Sequence, residues 1–177
     1  MEFTETEIPG VLIVQADVFP DDRGHFTAPW IRDSMAAHNL DTDLSQCGIA
    51  YNTVKGTLRG MHFQDEPFGQ TKLVAALSGA VYDVAIDLRP ESPAFRRWVG
   101  VELSADNNRA LYVPIGCAHG YQTLTDSASV FYFVSRPYSA PHGRGVRWND
   151  PAFGVSWPLG TPTKIHPRDA NYPDFEY

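Results

Sequence analysis

From about Asn52 onward, the chain consists of short apolar-rich runs that turn residues separate. Runs of this length, bounded by Gly, Asp, Asn and Ser, are typical of β-strands. The pattern predicts strands over residues 72–77, 80–88, 98–104, 110–115, 121–125 and 129–135, with a tight turn at Ser78-Gly79. Before them it predicts a strand over 11–19 and a short helix over 31–39. Such regular spacing predicts an all-β sandwich or barrel.

Successive side chains of a strand point to opposite faces, so the pattern also predicts which residues lie together. Within 80–88, Asp83 is predicted to share a face with Ala85 and Asp87, opposite Tyr82, Val84, Ile86 and Leu88. Within 129–135, Tyr132 shares a face with Val130 and Val134, and Phe131 and Phe133 point the other way. A tyrosine on a strand usually packs, so the pattern alone favours a packed Tyr132.

The length of 177 residues fits one domain over 1–177, with an ordered, loop-rich segment from Pro137 that wraps around it. A net charge of −7 disfavours a nucleic acid partner, because duplex binding needs clustered cations. It leaves room for a small anion held by a few arginines. The N-terminal residues do not show the pattern of a signal peptide, and the sequence contains no apolar run of the roughly 20 residues that would span a membrane. Cys47 and Cys117 are interpreted as reduced thiols, which indicates a cytoplasmic protein.

Two blocks of the sequence resemble the metal-binding motifs of small β-barrels. His62 lies in GTLRGMHFQ, and His119 ends the block that begins at Pro114. However, Gln64 stands where a second histidine ligand is expected, and Lys72 or a neighbour occupies the position of a carboxylate ligand. A charged ammonium cannot ligate a cation. The sequence therefore predicts no bound metal.

The same residues suit proton transfer next to a ketone. Histidine titrates near neutral pH and can take a proton, as His62 would. Lys72 or His119 can stabilise the oxygen of an enolate as it forms. A tyrosine can return a proton from the other face. Together these are the parts of an epimerase.

Four longer blocks carry a specific resemblance: RGMHFQ (59–64), the run from Lys72 through DVAIDLRPESP (83–93), ELSADNNRALYVPIGCAHGYQTL (102–124) and GVRWNDPAFGVSWP (145–158). With them the chain resembles the dTDP-4-dehydrorhamnose 3,5-epimerase family. The resemblance implies a cupin jelly-roll homodimer without metal or other cofactor. It also implies epimerisation at C3, C5 or both of a nucleotide-linked 4-keto-6-deoxyhexose, for deoxysugar biosynthesis.

The resemblance also implies roles for individual residues. His62 would be the base and Tyr132 the acid, with Lys72 stabilising the enolate and His119 nearby. Asp169 would be the partner of His62, and Asp83 is the alternative, since either carboxylate would fix the tautomer of the histidine. The remaining substrate contacts would come from Arg23 and Arg59 at the diphosphate, and from Phe26 and Tyr138 along the nucleotide and sugar.

Three positions depart from the pattern of the family: Ala28 and Gly143 replace acidic residues, and Cys47 replaces a glutamine. All three are associated with the nucleotide part of the substrate. The hypothesis is therefore an epimerase whose nucleotide or sugar differs from dTDP-4-keto-6-deoxyglucose. Three alternatives remain: a mono-epimerase, a ketoisomerase, and a non-catalytic cupin that binds a sugar nucleotide.

Overall fold

Two antiparallel sheets form the molecule. In the computed structural model, which describes residues 1–176, the strands of the first sheet are β1 (Glu2–Glu5), β2 (Leu12–Gln15), β5 (Gln46–Asn52), β7 (Lys72–Ser78), β10 (Arg109–Val113) and β12 (Ala128–Val134). Their spatial order is β1-β2-β10-β7-β12-β5, which makes β5 an edge strand.

The second sheet contains β6 (Thr57–Gln64), β8 (Ala80–Asp87), β9 (Trp98–Ser104), β11 (Cys117–Thr123) and β13 (Gly143–Gly145). Its order is β13-β6-β11-β8-β9, and β14 (Lys164–Ile165) pairs with β6 in parallel. Outside both sheets, β3 (Val18–Asp21) and β4 (Gly24–Thr27) form a separate hairpin. The helical elements are α1 (Arg32–Ala37), a 3-10 turn (Ala140–His142) and α2 (Pro167–Ala170).

The core lies in three apolar layers. The layer between the sheets includes the fully buried residues Val74, Val81, Ala85, Leu103 and Leu111. A second layer lies under α1 on the outer face of the first sheet, around Val14, Met35 and Leu73. The third covers the outer face of the second sheet and contains Leu58, Met61, Val84, Ile86, Phe153 and Trp157. Each sheet therefore has at least part of both faces covered.

The predicted alternation along the strands is confirmed. On β8, Val84 and Ile86 pack in the third layer with Tyr82 and Leu88, whereas Val81 and Ala85 pack between the sheets. Asp83 belongs to the second set and is fully buried. On β12, Val130 packs between the sheets, and Phe133 packs in the layer under α1.

The all-β fold predicted from the strand pattern is confirmed, and its two antiparallel sheets agree with the jelly roll that the resemblance implies. Three elements differ most from their predicted bounds. The predicted helix 31–39 is shorter, because it ends at Ala37 and Asn39 has a positive φ of 57°. The predicted strand 11–19 is divided into β2 and β3. β11 begins at Cys117, four residues before the predicted strand 121–125, and it contains His119. Within residues 1–176, no helix is long and apolar enough to cross a membrane.

Candidate active site

Side chains of both sheets line a cavity of about 310 Å³. β5, β7 and β12 contribute from the first sheet, and β6 and β11 contribute from the second. Six of the predicted site residues meet here: Arg59, His62, Lys72, His119, Tyr132 and Tyr138. Asp83 and Asp169 are buried and bonded to the two histidines, and Arg23 and Phe26 do not line the cavity.

A change of register in β6 brings Arg59 and His62 to the same side. His119 pairs with His62, and Tyr121 pairs with Arg59, so two residues of β6 lie opposite Gly120 alone. Residues three apart on a regular strand would face opposite sides. Gly60, one of those two residues, has a φ of +119°, and a Cβ on it would lie 2.5 Å from the Gly120 Cα. Only glycine fits this close approach.

His62 is paired with Asp169 across the cavity wall. Its Nε2 lies 2.8 Å from Oδ1 of Asp169, a carboxylate that α2 holds in a buried position. The Gly60 N–H donates to the other oxygen at 3.2 Å. Because a carboxylate only accepts, Nε2 carries the proton and Nδ1 keeps its lone pair. Within residues 1–176, no hydrogen bond occupies Nδ1.

The surroundings keep His62 neutral at physiological pH. Burial lowers its pKa below the usual 6.5, and the carboxylate of Asp169 only partly offsets this effect. The nearby cations of Lys72 and Arg168 lower the pKa of His62 further. Arg168 Nη2 is 3.3 Å from the same Nε2 that faces Asp169. A neutral imidazole with a free Nδ1 is the form that accepts a proton.

Lys72 is desolvated next to this base. Its Nζ donates to the backbone carbonyl of His62 at 3.1 Å. Burial lowers the pKa of Lys72 to about 8, and the negative charge of Asp83 opposes that shift. An ammonium in such a place is charged at neutral pH and can stabilise an adjacent anion.

His119 and Asp83 form a second histidine–carboxylate pair. Nε2 of His119 lies 2.8 Å from Oδ1 of Asp83, and the Asp83 side chain is fully buried. Asp83 therefore supports His119, whereas the carboxylate next to His62 is that of Asp169. The second oxygen of Asp83 has no hydrogen-bond partner within residues 1–176.

A buried amide orients Arg59. Its Nε donates to the Asn52 Oδ1 at 2.8 Å, and its Nη2 donates to the Tyr51 carbonyl at 3.1 Å. The Asn52 amide in turn donates to the carbonyls of Ala50 and Ala128, both at 3.1 Å. These bonds hold the guanidinium at the cavity with further N–H groups free for an anion.

Tyr138 stands at the edge of the cavity and is 60% exposed. Gln64 braces its segment: the Gln64 side-chain oxygen accepts from the Ser139 N–H at 2.6 Å, and its amide donates to the Phe68 carbonyl at 2.7 Å. Gly143 lies under the ring, where a Cβ would be 3.1 Å from Tyr138. The buried side chain of Gln64 therefore positions the segment of Tyr138, and the absence of a side chain at Gly143 leaves room for the ring.

Arg23 and Phe26 do not reach the cavity of their own chain. Both belong to the β3–β4 hairpin; the Arg23 side chain is 85% exposed and bonded to Asp21, and Phe26 is 66% exposed. A second cavity, of about 570 Å³, adjoins the first; its lining includes three cationic side chains, Arg59, Lys164 and Arg168, and the two histidines His62 and His166. Within residues 1–176, no three His, Cys, Asp or Glu side chains are grouped so that they could hold a metal.

Sequence reasoning missed four residues of the site: Asn52, Gln64 as a brace, Arg168 and Tyr172. Arg168 adjoins Asp169, so its position was a usable signal. Tyr172 lines the cavity with its ring edge toward His62, 6.4 Å between centroids. It fits there because Gly145, opposite His62 on β13, has no side chain to collide with the ring. No spacing in the sequence indicates that contact.

Comparison with known proteins identifies the family. The family model described as dTDP-4-dehydrorhamnose 3,5-epimerase matches residues 5–177. A protein of that name from Sinorhizobium fredii (strain NBRC 101917 / NGR234) is 41% identical, over 98% of this chain and 89% of its own.

Two solved structures are similar as well. The dTDP-4-dehydrorhamnose 3,5-epimerase of Bacillus anthracis str. Ames, with TDP and PPi bound, has a TM-score of 0.94 at 39% identity, over 98% of this chain and 99% of that one. A dTDP-6-deoxy-D-glucose-3,5-epimerase of Legionella pneumophila, in complex with dTDP-4-keto-L-rhamnose, has a TM-score of 0.90 at 34% identity, over 96% and 89%. The chain belongs to the dTDP-4-dehydrorhamnose 3,5-epimerase family.

Proposed function

We propose how this chain carries out the activity of its family, the epimerisation of a nucleotide-linked 4-keto-6-deoxyhexose at C3, C5 or both. The observation that carries the proposal is the pairing of His62 with Asp169 in a cavity that Lys72 and Tyr132 also line. The pairing leaves a neutral histidine with a free Nδ1 in the same cavity as an ammonium and a phenol. A base, an oxyanion stabiliser and an acid are what a carbon acid next to a ketone requires.

The proposed cycle begins at His62. Nδ1 takes the proton from the carbon next to the ketone, and the electron pair of that C–H bond moves into an enolate. The ammonium of Lys72 stabilises the new negative charge on the C4 oxygen. The Tyr132 hydroxyl then gives its proton to the opposite face of the same carbon, which inverts it and restores the ketone. Solvent takes the proton from His62 and reprotonates Tyr132.

The proposed substrate contacts use the rest of the cavity. Arg59, oriented by Asn52, binds the diphosphate, and His119, supported by Asp83, contacts the sugar near its C4 oxygen. The exposed ring of Tyr138 offers a face on which a nucleotide base can stack. Because Ala28, Cys47 and Gly143 present neither a carboxylate nor an amide side chain, we infer a relaxed or altered preference for the base.

The proposed assembly is a homodimer in the cytoplasm. The β3–β4 hairpin exposes Val18, Phe19 and Phe26, and the edge strand β5 exposes Ile49 and Tyr51. Apolar residues along a free edge favour pairing with a second chain. In that arrangement Arg23 and Phe26 would join the cavity of the partner. Cys47 and Cys117 are free thiols, which agrees with a reducing compartment.

Solvent deuterium tests the proposed cycle, with dTDP-4-keto-6-deoxyglucose as the probe. Label at C3 and C5 together with inverted product is expected for a double epimerase, and label at one carbon for a mono-epimerase. His62→Ala should abolish exchange at both carbons. Tyr132→Phe should impair epimerisation while some exchange remains, because the base is intact. A moved carbonyl would indicate a ketoisomerase. No exchange by the unmodified protein, with the dTDP-, UDP-, CDP- or GDP-linked form of the sugar, would indicate a binding protein.

Mixed dimers test the assembly. Arg23→Ala and His62→Ala chains, each of low activity alone, are unfolded and refolded together. If Arg23 serves the cavity of the partner, each mixed dimer contains one site with both residues intact, and activity returns. Activity that does not return, with dimers present, would contradict the shared site.

A further inference from the structure

Tyr132 lies across a glycine of the neighbouring strand. Within the first sheet, Tyr132 on β12 pairs directly with Gly48 on β5, and its other neighbour is Val74 on β7. A Cβ on Gly48 would lie 2.5 Å from the Tyr132 hydroxyl oxygen and 2.6 Å from Cζ. Real Cβ atoms do not approach other atoms this closely, since carbon contacts are optimal at about 3.5–4.0 Å. The phenol therefore occupies the space in which residue 48 would otherwise have a side chain.

The backbone gives no reason for a glycine at this position. Gly48 is in the middle of β5 and is not among the glycines with a positive φ. Glycine inside a strand weakens it and often marks a close approach of other atoms. The close approach here is the hydroxyl end of Tyr132, and Tyr132 has fully buried Val74 on its other side.

We infer that Gly48 is a positioning residue for Tyr132: the bare strand position lets the phenol lean across β5 and determines where its hydroxyl meets the substrate. This inference rests on the proposed role of Tyr132 as the acid. Any side chain at position 48 pushes the hydroxyl by about 1 Å to restore a normal contact. A shift of that size at a reacting group can cost about 100-fold in rate.

The displacement should affect one half of the reaction only. His62, Asp169 and Lys72 lie on β6, α2 and β7, so they retain their geometry when β5 gains a methyl group. Proton removal by His62 continues, and proton return from Tyr132 slows. Gly48 therefore governs how often an enolate goes on to the epimer instead of returning to the substrate.

Gly48→Ala tests the inference, and Gly100→Ala is its matched control. A Cβ on Gly100 would also collide with a tyrosine hydroxyl, that of Tyr82. However, Tyr82 packs in the third apolar layer, on the outer face of the second sheet, and does not line the cavity. Exchange of substrate hydrogen for deuterium and formation of the epimer are measured in parallel. Gly48→Ala should lower epimer formation about 100-fold and leave exchange within about threefold. Gly100→Ala should change neither rate more than about threefold.

The Tyr132→Phe background separates the inference from the role of the acid. Once the hydroxyl is removed, Gly48→Ala should cause no further loss of epimer formation, because coupled residues are not additive. Equal losses with and without the hydroxyl would overturn the inference, as would a fall in exchange that matches the fall in epimer. If Tyr132→Phe alone leaves epimerisation unchanged, the proposed acid is wrong, whatever Gly48→Ala does.

A measurement on the unmodified protein covers the case in which Gly48→Ala does not fold. Nuclear Overhauser contacts are expected between the Gly48 Hα protons and the ring protons of Tyr132. Their absence in the folded protein would overturn the inference without any variant.

Discussion

Nε2 of His62 and Oδ1 of Asp169 are 2.8 Å apart, although 107 residues separate them in the chain. The pair joins the middle of β6 to a helix near the end of the described residues. A negative charge at this place orients the imidazole and makes it a stronger base. Loss of this charge should therefore change both the rate of deuterium exchange and the dependence of that rate on pH.

Asp169→Asn should lower the rate of deuterium exchange by about 10² to 10⁴, because the amide no longer selects the tautomer with a free Nδ1. The pKa of His62 should fall, since the carboxylate is what raises it against burial. The acid limb of the pH–rate profile, already below pH 6.5, should therefore move to lower pH. An acid limb that moves to higher pH would contradict the pairing as described.

The rate should decline as the pH rises above about 8, where Lys72 loses its proton. The direction of this pH dependence follows from the proposed role of Lys72, because an ammonium would stabilise the enolate and a neutral amine would not. Lys72→Met should remove the part of the alkaline limb due to Lys72 and lower kcat by about 10² to 10³. An alkaline limb that is unchanged in Lys72→Met would show that another group produces it.

Asn52→Ala should raise KM about tenfold with little change in kcat. The substitution frees Arg59 from the bond that orients it, and the buried carbonyl of Ala128 loses a donor. The free energy of unfolding should fall by about 1–3 kcal/mol. Arg59→Lys is the comparison, because it keeps the charge, removes the forked geometry and should raise KM without the loss of stability.

dTDP, UDP, CDP and GDP should bind within about tenfold of one another. No acidic side chain is present at positions 28 and 143, and a bare Gly143 lies against Tyr138, the proposed stacking ring. Calorimetric titration of the four nucleotides measures the preference. Binding of dTDP far tighter than the other three would contradict the inferred change of base recognition.

Much of the site could be predicted because successive side chains of a regular strand point to opposite faces, a period of two residues. That period correctly grouped Asp83 with Ala85 and placed Tyr132 among residues facing inward. It could not pair Asp83 with His119 or Asp169 with His62, since both pairs depend on how distant strands pack. The family pattern supplied Asp169, which physical reasoning from spacing alone left open.

Other features have no counterpart in local sequence. Gln64 stands where a metal motif would have a histidine, yet its side chain bonds to backbone groups of Ser139 and Phe68 and so supports the segment of Tyr138. Because every residue has such backbone groups, no pattern in the sequence indicates these bonds. Tyr172 and Gly145 meet because the C-terminal segment returns to β6. The role proposed for Arg23 and Phe26 requires a second chain, because neither residue lines the cavity of its own chain.

Gly60 and Met61 together lie opposite Gly120 alone, and this β-bulge limits which mutations the stretch can accept. Arg59 and His62 face the cavity, and Leu58 and Met61 face the apolar layer behind it, only because one extra residue is present in β6. Removing one residue here would turn either the arginine or the histidine into the apolar layer. We therefore expect the length of the stretch between Arg59 and His62 to be fixed: a swap of similar volume such as Met61→Leu should be tolerated far better than an insertion or a deletion.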